Sequence, residues 1–179
     1  KTITTGEGGM LLTNAQELIE ESNIYKHDGR KERGHDLIER RGFNFRLTEF
    51  QSAVGVAQLS KGPGFAYRKR EILQLYKSYL SGLNNIQIFN FNSNEKIVPH
   101  RIVALTSDSG KLIEYLVNKG IGARTLFKPM HSQPCYDIPH SYPNSEKLFK
   151  TGLELPSYPS LEDSQIRFIC EIIKEYSKE

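Results

Sequence analysis

The first ten residues, KTITTGEGGM, combine a lysine with four β-branched residues and three glycines. A lysine amine forms a Schiff base with an aldehyde when its surroundings lower its pKa. β-Branched residues favour extended backbone, and the glycines let a flat molecule approach the main chain. The pattern predicts that Lys1 is a covalent catalytic residue. The alternative is a hairpin that turns at residues 6–8 and leaves Lys1 in solvent.

A second candidate site is the stretch GFNFRLT at residues 42–48, which leads into a segment rich in glutamine and alanine. Alternate residues of an extended segment lie on the same side, so Asn44 and Arg46 are expected to share a face. An amide and a guanidinium on one face suit a phosphate or a carboxylate. The alternative is a turn asparagine beside a surface arginine that forms an ion pair.

The third candidate region contains Arg124 and the motif KPMHSQPCY at residues 128–136. Prolines restrict the backbone, so they can hold His131 and Tyr136 over a cleft with little entropy left to lose on binding. His131 could then hydrogen-bond a ligand, and Arg124 could add positive charge. The alternative for a lone histidine is a structural role.

The composition narrows the class of protein. The 179 residues are 37% hydrophobic and 25% charged with a net charge of +3, which is ordinary for a globular protein and too slight to predict nucleic-acid binding. The two cysteines and five histidines lack zinc-ligand spacing, so we predict no metal site. We expect a reducing, cytoplasmic compartment, and no apolar run is long enough to cross a bilayer.

The hydrophobic pattern of the first part predicts a strand at residues 10–13 and a helix capped by Asn14. A polar, basic loop follows over residues 27–41. Its basic stretch at residues 26–33 could grip a diphosphate, although charge runs of this kind are more often only solvated. Thr48 and Gln51 match a capping box that starts a helix through Leu59. The sequence KGPG at residues 61–64 is predicted to end this helix and to act as a hinge.

Beyond residue 64, the pattern alternates helices and strands as in a small α/β domain. A helix over residues 72–80, strands over 86–91 and 98–106, a helix over 109–119 and a strand over 123–127 are expected. Residues 129–143 are predicted to form an irregular loop. Ser160 is expected to cap a final helix whose apolar stripe is Ile166, Ile169, Cys170 and Ile173.

Together these motifs resemble those of the DegT/DnrJ/StrS family of sugar aminotransferases, which depend on pyridoxal phosphate (PLP). The resemblance rests on KTITTGEGGM, GFNFR, HSQPCY and the LPSYPS sequence at residues 155–160, and it runs nearly end to end. The opening motif is most similar to that of perosamine synthase-type enzymes, which aminate a nucleotide-linked 4-keto-6-deoxysugar. A departure is KGPGF at residues 61–65, where family members continue a helical connector.

The resemblance implies a fold-type-I PLP aminotransferase of the α/β class. Residues 1–61 would complete the large PLP-binding domain, and residues 62–179 would form the small C-terminal domain. Lys1 would hold PLP as a Schiff base and move protons. Asn44 would reach the PLP phosphate of the other subunit in a homodimer with shared active sites, and Arg46 would support it.

The same resemblance implies that His131, Arg124 and Tyr136 bind the substrate. The substrates would be glutamate and a nucleotide-linked keto-deoxysugar, for the biosynthesis of surface polysaccharide or related amino sugars. Because the chain opens on the lysine, we expect the C-terminal part of a longer protein, inactive by itself. Two alternatives are a non-catalytic remnant that serves dimerisation or regulation, and a nucleotide-sugar-binding domain that uses no cofactor.

Overall fold

The structure is a computed structural model that describes residues 1–32, 34–90, 97–136 and 140–178. Its elements are α1 (Gln16–Lys26), α2 (Glu49–Tyr79), β1 (Ile86–Ile88), β2 (Ile102–Thr106), α3 (Ser109–Asn118), β3 (Arg124–Thr125), a 3-10 turn (Met130–Ser132), α4 (Pro143–Thr151), β4 (Gly152–Leu155) and α5 (Asp163–Tyr176). The chain divides into two compact units, Lys1–Pro63 and Gly64–Glu179. Within the described ranges, no helix combines the length and apolar character that spanning a membrane requires.

The second unit is built on a four-stranded antiparallel sheet with the strand order β1-β2-β4-β3. The central pair, β2 and β4, places Ile102 opposite Leu155 and Ala104 opposite Leu153. These four side chains are buried and belong to a core that also includes residues of α2, α3 and α5. Because each buried aliphatic side chain contributes about 1.5–3 kcal/mol, this core stabilises the second unit.

The first unit has little core of its own. Among its described residues, Ile24 and Gly29 are the buried ones. Four large apolar side chains, Met10, Leu12, Phe50 and Val56, are each more than 70% exposed. Main-chain hydrogen bonds therefore contribute more to the shape of this unit than apolar packing does.

Helix α2 begins as the sequence predicts but ends much later. Thr48 N–H donates to Gln51 Oε1 at 2.9 Å, and Gln51 N–H donates to Thr48 Oγ1 at 3.2 Å, which confirms the capping box. The predicted end near Leu59 and the break at residues 61–64 are wrong, because the helix continues to Tyr79 with Pro63 inside it.

The continuity of α2 has a physical reason. A proline inside a helix costs about 3 kcal/mol, but Pro63 is exposed, so water can reach the carbonyl that loses its donor. The part of the helix beyond it buries Ile72, Leu73 and Tyr76, and the burial of three such side chains exceeds that cost.

Other element boundaries also differ from the sequence pattern. Residues 10–13 form no strand, and the Asn14 side chain does not cap α1. Thr13 Oγ1 instead accepts from the Ala15 N–H at 3.0 Å. At α5 the predicted stripe is buried, but Glu162 and Gln165 form the capping box in place of Ser160.

The strands are shorter than expected, and two elements have no counterpart in the prediction. β1 covers Ile86–Ile88 of the predicted 86–91, of which residue 91 lies outside the described ranges. Helix α4 starts at Pro143, at the end of the segment predicted as an irregular loop. Strand β4 follows α4 immediately and pairs with both β2 and β3.

Candidate functional site

The segment that begins at Lys1 lies along the first turns of α2. Thr4 N–H donates to Gln58 Oε1 at 3.4 Å, and the Thr5 methyl would be 3.2 Å from a Cβ placed on Gly55. A glycine at position 55 therefore lets the segment approach the helix closely. Lys1 itself is exposed, and its catalytic role stays a prediction.

The glycines that follow form a turn that only glycine accommodates. Gly6 and Gly8 have φ angles of +86° and +146°, in the region that disfavours other residues. A Cβ on Gly8 would lie 2.8 Å from Thr5 Oγ1 and 3.4 Å from Leu47 Cδ2. This turn thus lies next to the segment that contains Asn44 and Arg46.

Residues 43–45 are fixed against the end of α1 by three main-chain hydrogen bonds, which we call the Asn44 ladder. Phe43 N–H donates to Tyr25 O at 2.7 Å, Asp28 N–H donates to Phe43 O at 3.0 Å, and Phe45 N–H donates to Lys26 O at 3.2 Å. Asn44 lies in the middle of this ladder. Its backbone position is therefore set by α1 as well as by its own segment.

Asn44 and Arg46 are hydrogen-bonded to each other. Arg46 Nε donates to Asn44 Oδ1 at 2.8 Å, and Arg46 Nη2 lies 3.5 Å from Asp28 Oδ2. The two side chains therefore share a face, as the alternation of the extended segment predicts. Since Oδ1 of Asn44 accepts from Arg46, the amide nitrogen Nδ2 is the end that can donate to a ligand.

These two residues line a cleft of about 910 Å³. Its lining comes from three segments: Glu7, Gly8, Gly9, Met10 and Leu11; Ser22, Lys26 and His27; Asn44, Phe45, Arg46, Leu47 and Gln51. Lys26 and His27, at the end of α1, belong to the basic stretch at residues 26–33 and also line this cleft. Lys1 is not part of this lining, so the structure brings together two of the three predicted cofactor residues.

In the second unit, His131 belongs to a cluster at the start of α4. Its Nε2 is 3.1 Å from Glu146 Oε1, and its ring lies 4.9 Å from the ring of Tyr142. Glu146 also accepts from the Tyr142 N–H and the Ser141 hydroxyl, and these bonds, with that of His131, lower the pKa of the carboxyl group. His131 is thus oriented by Glu146, and its substrate role stays a prediction.

Arg124 belongs to a separate cluster on the sheet. Its Nε donates to Glu154 Oε2 at 2.7 Å, and its guanidinium lies 5.6 Å from the centre of the Phe127 ring. Tyr136 is half exposed beyond the 3-10 turn, where its N–H donates to Gln133 O at 3.0 Å. The substrate-binding roles of Arg124 and Tyr136 also stay predictions. In the described ranges, no group of three or more histidine, cysteine and acidic side chains could hold a metal ion.

A comparison with protein families shows which family this chain belongs to. The profile of the DegT/DnrJ/EryC1/StrS aminotransferase family matches residues 1–174. The chain belongs to this family. Members of the DegT/DnrJ/EryC1/StrS family depend on PLP, so the predicted family and its cofactor are confirmed.

Individual relatives agree with this membership. The chain is 35% identical over 184 residues to the GDP-perosamine synthase of Escherichia coli O157:H7, covering 98% of this chain and 49% of that protein. It is 34% identical over 188 residues to the GDP-perosamine synthase of Vibrio cholerae, covering 98% and 50%. The chain therefore spans about half the length of the curated relatives it matches.

The fold agrees as well. Helicobacter pylori PseC, an aminotransferase involved in the biosynthesis of pseudoaminic acid, matches with a TM-score of 0.90 and 25% identity over 99% of this chain and 51% of PseC. The predicted α/β fold of a fold-type-I aminotransferase is confirmed for the part of such a DegT/DnrJ/EryC1/StrS protein that this chain spans.

Proposed function

We propose that this chain serves a PLP-dependent transfer of an amino group from glutamate to the keto carbon of a nucleotide-linked keto-deoxysugar. The names of its relatives support this activity, since two are GDP-perosamine synthases and PseC acts in pseudoaminic acid biosynthesis. The product would be used in the biosynthesis of surface polysaccharide or of a related amino sugar. The observation that carries the proposal is the Lys1 segment, which runs into a glycine turn beside the cleft of Asn44 and Arg46.

The residues of this cleft fit a phosphorylated aromatic cofactor. Amide and guanidinium donors from Asn44 and Arg46 suit the phosphate group, and Lys26 adds a positive charge. A side chain at Gly8 would collide with Thr5, so the bare glycine backbone keeps the lining next to Met10 open. Lys1, Asn44 and Arg46 are the residues that would hold PLP.

Each of these side chains has a distinct task. PLP, when bound, supplies an electron sink that stabilises negative charge on a carbon next to nitrogen. The amine of Lys1 acts as general base when it removes the proton from the α-carbon of glutamate, and as general acid when it delivers a proton to the sugar carbon that receives the nitrogen. The hydrogen bond from Arg46 fixes the rotamer of Asn44, so the Asn44 amide is oriented before an anion binds.

Lys1 is not among the residues that line the cleft, although its segment continues into the glycine turn that does line it. Since Asn44 and Arg46 line a cleft that does not include Lys1, they can serve the lysine of a second copy. We therefore propose a homodimer in which Lys1 of one protomer works with Asn44 of its partner. His131, Arg124 and Tyr136 of the second unit would contact the nucleotide-linked sugar.

The experiment uses the purified product of the complete open reading frame that encodes this chain. Amino transfer is followed from nitrogen-15-labelled glutamate to a panel of GDP-, UDP- and dTDP-linked 4-keto-6-deoxysugars. Lys1→Ala should lower the rate by about 10³-fold or more, because it removes the proton carrier. Lys61→Ala, at an exposed position of α2, is the matched control and should keep the rate.

Three outcomes would count against the proposed activity. If Lys1→Ala transfers nitrogen as fast as the wild type, Lys1 is not the catalytic residue. If the wild type binds PLP or dimerises but aminates none of the sugars, the non-catalytic remnant is the better description. If it binds the sugars without PLP, the cofactor-free binding domain is favoured.

A further inference from the structure

Glu154 is a buried carboxylate on the face of the sheet opposite the core. Its neighbours Leu153 and Leu155 point into the core, and alternate residues of a strand point to opposite faces. The register places Arg124 of β3 directly opposite Glu154. The Glu154 side chain is 7% exposed although it lies on this outer face. Something other than the core must therefore cover it.

Two arginines bind Glu154, and both lie beside the same phenylalanine ring. Arg124 Nε and Arg101 Nη1 both donate to the same oxygen, Oε2 of Glu154. Both guanidinium groups lie 5.6 Å from the centre of the Phe127 ring. A shared carboxylate and a shared ring restrict both arginines, so little side-chain entropy remains to be lost when they bind a ligand.

The charges of this cluster do not cancel. Two guanidinium groups face one carboxylate, which leaves a net positive charge on this face of the sheet. Since Arg124 uses Nε for Glu154, its two terminal NH₂ groups remain to donate, and its side chain is 53% exposed. Paired N–H donors with a fixed geometry match the oxygens of a phosphate better than a flexible ammonium does.

We propose that Arg124 and Arg101 form an anion-binding site for the diphosphate of a nucleotide-linked substrate. This inference rests on the proposed function and extends it, because it adds Arg101 to the substrate contacts. Glu154 is a positioning residue that orients both guanidinium groups. Phe127 is 77% exposed and supports the arginines from the side of solvent.

The test measures binding to the full chain by calorimetry, with inorganic pyrophosphate, GDP and guanosine as probes. Arg124→Gln and Arg101→Gln should each weaken pyrophosphate and GDP binding on the order of tenfold, because each removes charge-assisted hydrogen bonds. Guanosine should bind far more weakly than GDP. Arg167→Gln is the matched control, since Arg167 also lies over an aromatic ring, that of Tyr79 at 5.7 Å.

Arg124→Lys keeps the charge and the edge strand but loses the paired donors, so it should also weaken binding if the geometry matters. Equal affinities of the wild type and both glutamine variants would overturn the site. So would an equal loss in the Arg167 variant, or guanosine binding as tight as that of GDP. Pyrophosphate binding needs neither cofactor nor turnover, so this test fails or succeeds independently of the amino-transfer assay.

Discussion

Replacing Gly42 with alanine should loosen the segment that carries Asn44. Gly42 crosses the backbone of Gly29, and a Cβ on Gly42 would come well inside contact distance of main-chain atoms of Gly29 and Asp28. Main-chain atoms cannot rotate away as a flexible side chain can. The two segments must therefore separate, and the Asn44 ladder joins the same two segments.

The magnitude follows from the ladder. Its three hydrogen bonds are worth about 0.5–1.5 kcal/mol each, so their loss costs about 3 kcal/mol. Gly42 does not have a positive φ, so its backbone conformation also allows alanine. Alanine lowers the conformational entropy of the unfolded chain, which stabilises the fold by about 0.4–1 kcal/mol. The net local destabilisation is about 2 kcal/mol, which corresponds to about 30-fold faster opening.

Amide hydrogen exchange measures this opening directly. The N–H groups of Asp28, Phe43 and Phe45 should exchange about 30-fold faster in Gly42→Ala than in the wild type. Gly62→Ala is the matched control, because a Cβ at that position of α2 would meet nothing within 4 Å beyond its chain neighbours and the nearby backbone of its own helix. It should leave the three amides unchanged and stabilise the helix by up to about 1 kcal/mol.

Two results would refute this reasoning. Unchanged exchange at the three amides in Gly42→Ala would mean that the glycine crossing does not hold the segment. Equal acceleration in Gly62→Ala would mean that the ladder responds to any added methyl group. If the three amides exchange faster in Gly42→Ala, the same substitution in the full-length protein should also weaken PLP binding, because the Asn44 ladder positions Asn44.

Two further predictions concern buried groups of the second unit. Lys69 Nζ donates to the carbonyls of His100 and Ser157 at 2.7 and 2.6 Å, and burial lowers its pKa. Between the lowered folded pKa and the ordinary lysine pKa of about 10.4, the unfolded chain therefore binds more protons than the folded chain. Stability rises with pH in that window and is lost as the pH falls through the folded pKa. Urea midpoints of the wild type should rise with pH relative to Lys69→Met, and parallel slopes would contradict this. Burial also raises the pKa of the Cys170 thiol to about 12, whereas Cys135 is exposed. A thiol reagent at about pH 8 should therefore modify Cys135 alone in the native chain and both cysteines in urea. Labelling of Cys170 in the native chain would contradict its burial.

Local patterns in the sequence predicted the features that depend on neighbouring residues. The Thr48–Gln51 capping box needs only an extended residue and a partner three positions later. The buried stripe of α5 follows from the helical period. The common face of Asn44 and Arg46 follows from the alternation of an extended segment. The family itself was also evident from the opening motif.

The sequence did not predict the features that depend on distant partners. Pro63 and its glycines are typical of a helix end, yet the burial of more distal residues of α2 favours a continuous helix. Strand β4 is too short to identify alone, and it exists because β2 and β3 pair with it from both sides.

The arrangement of the candidate site residues shows the same division. The residue types of Lys1, Asn44 and Arg124 were enough to predict chemistry, because an amine, an amide and a guanidinium each have few uses in such motifs. The tertiary structure decides which of these side chains lie close to one another. Arg124 and Arg101 share a carboxylate because the strand register brings distant residues together, and no local pattern contains that register.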